Sequence, residues 1–188
     1  IAIDRDGQWF LPEATKTTLP TGLTDVTRRT GGDADVMLRP ESNGQMVATS
    51  GEEQRLDVVF PVLHGGFGED GTIQGLLRLS GVPFVGAGVL GSAIGMDKDV
   101  MKRLLREAGI PVARFLAIRQ GTAPSYESVV ASLGSPFFLK PANAGSSVGV
   151  HKVRSESEYD EALVDAFLYD TKVLLEEYIV GREIEVSV

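Results

Sequence analysis

Apolar positions along the chain change period several times, and the changes mark elements. Ile1-Ala2-Ile3 and Gln8-Trp9-Phe10-Leu11 flank Asp6-Gly7, a hairpin pattern with Asp-Gly as its turn. From about Pro12 to Arg55 the chain is rich in Thr, Gly, Pro and charge, which predicts loops and short edge strands. Leu56 to Leu63 reads as a buried strand despite Pro61, and a glycine-rich loop, His64 to Gly71, follows. Ile73, Leu76 and Leu77 have helical spacing, with Gly81 as a natural stop, and Val82 to Val85 reads as a short strand. Val85 to Met96 is apolar but short and rich in Gly and Ala, so it reads as core and turns rather than as a membrane span.

The second half has sharper punctuation. Asp97 is placed to cap a helix reaching about Ala108, with Val100, Met101, Leu104, Leu105 and Ala108 on one face, and Gly109 and Pro111 end it. Val112 to Ile118 predicts a strand, Ser125 to Leu133 a helix closed by Gly134, and Phe137 to Lys140 and Val148 to Val153 two strands. Ser155 and Glu158 form a capping box for a helix whose buried face is Tyr159, Ala162, Leu163, Ala166 and Phe167. Lys172 to Tyr178 reads as a strand, and Arg182 to Val188 as the start of another. Alternation of strands and helices gives an α/β or α+β class. We expect a domain boundary near Gly95 to Asp97. The pattern stops in mid-strand and starts on a strand with no initiator Met, so we expect the 188 residues to be a piece of something longer.

Composition narrows the function classes. The chain is 43% hydrophobic and 23% charged, ordinary for a protein with a real core. A net charge of −8 argues against broad binding of nucleic acid or of an anionic membrane. With no cysteine, thiol nucleophiles, disulfides and zinc–thiolate sites are excluded, and the first residues lack the pattern of a signal peptide.

Lys140-Pro-Ala-Asn-Ala-Gly-Ser-Ser-Val-Gly149 carries the most chemistry. A lysine ends one strand, a loop of small residues follows, and a second strand leaves. Backbone amides of Gly145, Ser146, Ser147 and Gly149 can approach an anion closely. The order is not that of a Walker loop, and an ordinary glycine-serine hairpin is the simpler alternative. Lys98, in the first turn of its helix, opposes the helix dipole; it is either a solvated surface lysine or a phosphate ligand. His64-Gly65-Gly66-Phe67-Gly68-Glu69-Asp70-Gly71 follows a predicted strand, where α/β folds place ligands. There His64 could donate and Glu69 and Asp70 could orient an amine, or Asp70-Gly71 merely turns the chain. Leu174 to Glu183 runs from a strand through acids to a glycine, which can serve the edge of an adenine or be plain surface.

Taken together, His-Gly-x-x-Gly-Glu-Asp-Gly, Met-Asp-Lys, Lys-Pro-x5-Ser-Ser-x-Gly and Glu-x4-Gly-x-Glu, in this order and at these distances, resemble the D-alanine–D-alanine ligases of the ATP-grasp superfamily. Asp57 to Val188 carries nearly all of the match, and Ile1 to Leu11 looks like the third strand region of that family's first domain. The resemblance implies a partial pre-ATP-grasp substrate domain over residues 1–96, a central ATP-grasp subdomain over 97–180, and the start of a third, truncated domain from 181. It implies ATP-dependent ligation of two D-alanines through an acyl phosphate, for peptidoglycan precursors, in a cytoplasmic homodimer without nucleic-acid or membrane partners. By the family pattern Lys98 and Lys140 would hold ATP phosphates, with Ser146 and Ser147 in a loop folding over them and Ser146 among the catalytic residues. Glu176 would accept from the adenine amino group, Tyr178 and Ile179 would form the adenine hinge, and Glu183 would hold the ribose. His64 and Glu69 would lie near the D-alanine site. Mg2+, or Mn2+, would come with the nucleotide, on ligands expected beyond Val188; no metal ligand is assigned within the chain. The alternatives are a superfamily ligase using D-lactate or D-serine as acceptor, and a non-catalytic nucleotide-binding module.

Overall fold

The computed structural model describes residues 1–3, 8–11, 34–49, 51, 53–184 and 186. They form two compact units, one of Ile1–Val62 with Ile73–Gly86, the other of Leu63–Thr72 with Ala87–Val188.

In the first unit, strands β1 (Ala2–Ile3), β2 (Trp9–Leu11), β3 (Ala34–Leu38), β4 (Gln45–Ala48) and β5 (Glu53–Arg55) form an antiparallel sheet in sequence order. The predicted first hairpin is present, with Ala2 opposite Phe10 and Ile3 opposite Trp9; its Asp6-Gly7 turn lies outside the described residues. On β3 and β4, alternate residues Val36, Met46 and Ala48 are buried and pack with Trp9, Ala34 and Leu56. Helix α1 (Thr72–Leu79) buries Ile73, Gln74 and Leu77, and Gly81 follows in the left-handed region (φ 68°).

Two strands predicted here are corrected. Residues 56–63 make no strand beyond a single parallel bridge, Val59 to Phe84, which is also all that remains of the strand expected over residues 82–85. Val58, Phe60 and Val62 are exposed, Phe60 by 71%. A parallel strand becomes buried only when neighbours flank it and helices cover both faces. Among the described residues this segment has one such neighbour.

The second unit is built on an antiparallel sheet of order β6-β9-β7-β8, comprising β6 (Phe115–Arg119), β7 (Phe137–Pro141), β8 (His151–Val153) and β9 (Lys172–Glu177). Alternate residues Ile118, Phe137, Leu139, Val153, Val173 and Leu175 point to one face. They form a closed core with Val129 and Leu133 of α4 (Tyr126–Leu133) and Tyr159, Ala162 and Ala166 of α5 (Glu156–Tyr169). Caps end these helices as expected: the Ser125 hydroxyl accepts from Ser128 N–H, that of Ser155 from Glu158 N–H, and Gly134 (φ 87°) closes α4. The box at Ser155 closes one residue early, because Glu158 Oε2 reaches back to Arg154 N–H at 2.7 Å.

Three further expectations change. Val85 to Met96 holds a helix, α2 (Val89–Met96), capped by Gly88. Helix α3 (Lys98–Glu107) does start at Asp97, whose Oδ1 accepts from Asp99 and Val100 N–H at 3.1 Å each, but its buried residues are Asp99 and Lys102 while Val100 and Leu104 are exposed. The helix is turned by its charged stripe, which has partners on the sheet, Lys102 on Glu176 and Asp99 on Lys172, while Met101 and Leu105 of the apolar stripe are half-buried. Residues 182–184 lie outside any strand, and 185, 187 and 188 are not described. No helix among the described residues is long and apolar enough to cross a membrane.

Candidate functional site

The opposite face of the second sheet carries the site. Because side chains alternate, Phe115, Phe138, Lys140, Leu174 and Glu176 point away from the apolar core. Register sets Glu176 opposite Phe138 on one side and Phe115 on the other, with Lys140 one pleat further along. Lys140 Nζ donates to Glu176 Oε1 at 2.9 Å. Lys102, reaching over from α3, puts its Nζ 2.6 Å from Glu176 Oε2. Each oxygen of the Glu176 carboxylate thus faces its own lysine.

Lys98 completes the cluster, and it is no solvated surface lysine. Its N–H donates to Ala142 O (3.1 Å), and its Nζ donates to Ala142 O (3.3 Å) and to Ala144 O. Burial, then the charge of Lys140, lowers its pKa, while Asp170, Asp97 and Glu176 pull the other way. The adjacent charges are balanced: Lys172 pairs with Asp97 (2.5 Å) and Asp99 (3.4 Å), and Arg103 pairs with Asp99 (2.6 Å). Asp97 is pushed up by desolvation but ends below the usual carboxylate value, chiefly through Lys172 and the Val100 N–H. Lys102 and Lys140 by contrast share the one carboxylate of Glu176, with Lys98 close by, which concentrates positive charge in a chain of net charge −8. A half-buried pocket rich in cations suits an anion.

Beside it stands the β7–β8 hairpin. Asn143 anchors the base, donating its N–H and Nδ2 to Asp170 Oδ2 at 2.7 and 2.9 Å. At the tip Ser146 (φ 49°), Ser147 (φ 60°) and Gly149 (φ 64°) are left-handed, and Val148 N–H closes back on Gly145 O. A left-handed serine costs on the order of 1 kcal/mol, so the tip is strained, exposed and free of side-chain bulk. A Cβ on Gly149 would fall 2.9 Å from Pro141 Cγ and from Tyr169 Cδ2, so only glycine lets the returning strand pass.

Past β9 the chain leaves the sheet, and Tyr178, Ile179 and Glu183 are exposed. The Tyr178 ring lies against Phe138 (centroids 5.9 Å) with Lys152 Nζ 3.6 Å above it. In the His64–Gly71 loop, His64 is exposed and Glu69 Oε2 holds Gly65 N–H at 2.5 Å. Asp70 accepts from Phe67 and Thr72 N–H at 2.9 Å each; burial alone would raise its pKa, but these bonds hold it below the ordinary value. Both acids thus brace the loop.

Of the residues read from the sequence, the fold brings Lys98, Lys140 and Glu176 together, puts Ser146 and Ser147 at the hairpin tip beside them, and leaves His64 and Glu69 on the separate glycine loop. Lys102 went unread. Its signal was present, four residues after Lys98 and so on the same helical face.

Two family models match this chain: D-ala D-ala ligase N-terminus over residues 1–87 and D-ala D-ala ligase C-terminus over residues 104–188. The chain belongs to the D-alanine–D-alanine ligase family. It is 46% identical to D-alanine–D-alanine ligase A of Chromobacterium violaceum, an alignment covering all of this chain and 53% of that protein. The structure of the D-alanine–D-alanine ligase from Coxiella burnetii superposes with a TM-score of 0.84 at 34% identity, covering 96% of this chain and 53% of that one. The VanG D-Ala:D-Ser ligase of Enterococcus faecalis superposes with a TM-score of 0.77 at 36% identity, covering 95% and 52%. The fold is therefore that of the ATP-grasp ligases, and the chain spans about half the length of the relatives it matches.

Proposed function

We propose that the protein carrying this chain is an ATP-dependent ligase that joins two D-alanines for peptidoglycan precursors, in the cytoplasm and as a homodimer. The observation that carries the reading is the cluster of Lys98, Lys102 and Lys140 around Glu176, at the foot of a strained glycine-serine hairpin. Lys98 and Lys140 neutralise the nucleotide's phosphates, and Ser146 and Ser147, with the tip amides, close over them and exclude water. The nucleotide fits this cluster because Glu176 presents a carboxylate among the lysines, and its Oε1, once Lys140 turns to the phosphates, can accept from the adenine 6-amino group. Tyr178 and Ile179 border the base and Glu183 holds the ribose. His64 and Glu69 line the D-alanine end. Among the described residues no group of three or more His, Cys, Asp or Glu is placed to hold a metal ion. Mg2+ or Mn2+ would accompany the phosphates and supply further charge neutralisation.

In this reaction a D-alanine carboxylate oxygen attacks the γ-phosphorus and ADP leaves. The second amine then attacks the acyl carbon, gives up a proton and expels phosphate. The lysines act by offsetting charge where one anion must approach another. Residues 1–96 would serve as substrate domain, 97–180 as nucleotide-binding subdomain, and 181 onward as the start of the third.

The likeness to a D-Ala:D-Ser ligase supports D-serine as a second acceptor to test. The experiment is ADP release from Mg-ATP by the full-length protein, with D-alanine alone and with D-serine or D-lactate added, products identified by mass. D-alanyl-D-alanine is expected with D-alanine alone. A D-alanyl-D-serine or D-alanyl-D-lactate product without the dipeptide would move the assignment to another acceptor, and absence of any amino-acid-dependent ADP would leave a nucleotide-binding module.

A further inference from the structure

We infer that Lys102 is a positioning residue that fixes Glu176 for adenine and frees Lys140 for phosphate. The inference rests on the reading of Glu176 as the adenine acceptor.

The Lys102 side chain is unusual for a lysine. The residue is only 7% exposed, and its ammonium group sits under the sheet face with three contacts: Glu176 Oε2 at 2.6 Å, Ala113 O at 3.4 Å, and the Phe115 ring with its centroid at 5.3 Å. A buried ammonium group is costly without a partner and is held where its partners are. Lys140 differs. Its side chain is more exposed than that of Lys102, 21% against 8%, and its hydrogen bond is to the other oxygen of the same carboxylate.

Glu176 is therefore shared by one fixed cation and one adjustable cation. When an anion draws Lys140 away, Glu176 loses the Oε1 bond and keeps the contact with Lys102. Its orientation toward the base then depends on Lys102 alone. Without Lys102, Glu176 has a single cation to follow. It turns with Lys140, which misplaces the adenine acceptor and also cancels charge that the phosphates need. Lys98 cannot substitute, because its Nζ bonds Ala142 O and Ala144 O in the free protein and is assigned to phosphate in the bound one.

The test measures binding of ATP and of inosine triphosphate, which carries a carbonyl where adenine has its amino group, to the full-length protein and its variants. Wild type should prefer ATP. Lys102→Met, which keeps the apolar stem, should weaken ATP about ten-fold and inosine triphosphate only about two- to three-fold, the latter through the phosphate charge alone, so that the preference falls. Lys102→Arg, which keeps the charge, should restore most of it. Lys102→Gln carries the same expectation as the methionine variant should the latter not fold. Equal weakening of both nucleotides, or an unchanged preference, overturns the positioning role. A wild type that binds ATP without preferring it overturns the adenine reading of Glu176 and this inference with it. A wild type that binds neither nucleotide overturns the nucleotide site as a whole.

Discussion

The two faces of the sheet β6-β9-β7-β8 are made from the same strands, residue by alternate residue, and they hold together by opposite means. One face, from Phe137, Leu139, Val153, Val173 and Leu175, packs against α4 and α5 as a dry core with no charge in it. The other meets α3 through ammonium and carboxylate groups: Lys102 and Lys140 on Glu176, Lys172 on Asp97 and Asp99. The apolar face is worth its buried area and has no further partner to accept. The charged face is close to break-even as stabilisation, since desolvation offsets much of each ion pair, and it keeps positive charge in reserve. The difference teaches that one strand can pack a core with its odd residues and gather charge with its even ones.

That comparison can be broken at several points. Phe137→Ala on the dry face should cost about 3–5 kcal/mol of stability, read by denaturant unfolding, and leave nucleotide affinity of the folded fraction unchanged. Lys140→Ala on the charged face should do the reverse. Glu176 keeps Lys102 as counter-ion, so the melting temperature should move little, while Mg-ATP affinity in calorimetry falls about ten- to a hundred-fold. Unchanged affinity would remove Lys140 from the site. Gly149→Ala tests the seam between the faces. The left-handed φ and the contacts with Pro141 and Tyr169 should cost about 1–3 kcal/mol, and nucleotide binding should weaken with it because the hairpin is displaced. Ser155→Ala, which removes the α5 cap on the dry side, should cost about 1 kcal/mol and leave binding alone.

The smallest effect is a pH dependence. Lys98 has a folded pKa below its ordinary value of 10.5, so between the two values the unfolded chain holds the extra proton. Lys98 therefore adds nothing to stability in its charged form, and its contribution improves as pH rises through that window. Binding has the opposite sign. Phosphate contact needs the charged form, so affinity should fall as pH rises through the lowered pKa, and binding within that window should take up protons, seen as a buffer-dependent heat in calorimetry. Absence of uptake would mean that Lys98 meets no phosphate.

Most of the second unit was legible because its elements carry their own punctuation. Asp97, Ser125 and Ser155 sit at helix starts, Gly134 at a helix end, and the strands between them are short apolar runs. Residues 56–63 misled because an apolar run states that a segment is to be covered without stating what covers it. Helix α2 was missed because Gly91, Ala93 and Gly95 give no clear polar face. On α3 the period was right and the direction wrong: Val100 and Leu104 mark a stripe, but ion pairs 70-odd residues away in sequence turn Asp99 and Lys102 inward. Lys140, Lys98 and Glu176 could be proposed from motif spacing. That Glu176 is divided between two lysines belongs to tertiary register, which the linear pattern does not contain.

The tether of Lys98 has a kinetic consequence. Its ammonium group is already committed to the carbonyls of Ala142 and Ala144, and Lys140 to Glu176. An arriving polyanion does not fall into a vacant socket; it must displace ligands that the chain supplies to itself. Long-range attraction should bring it quickly to the mouth of the hairpin, and a slower, concentration-independent exchange should follow. Stopped-flow traces would then show an observed rate that levels off as nucleotide is raised.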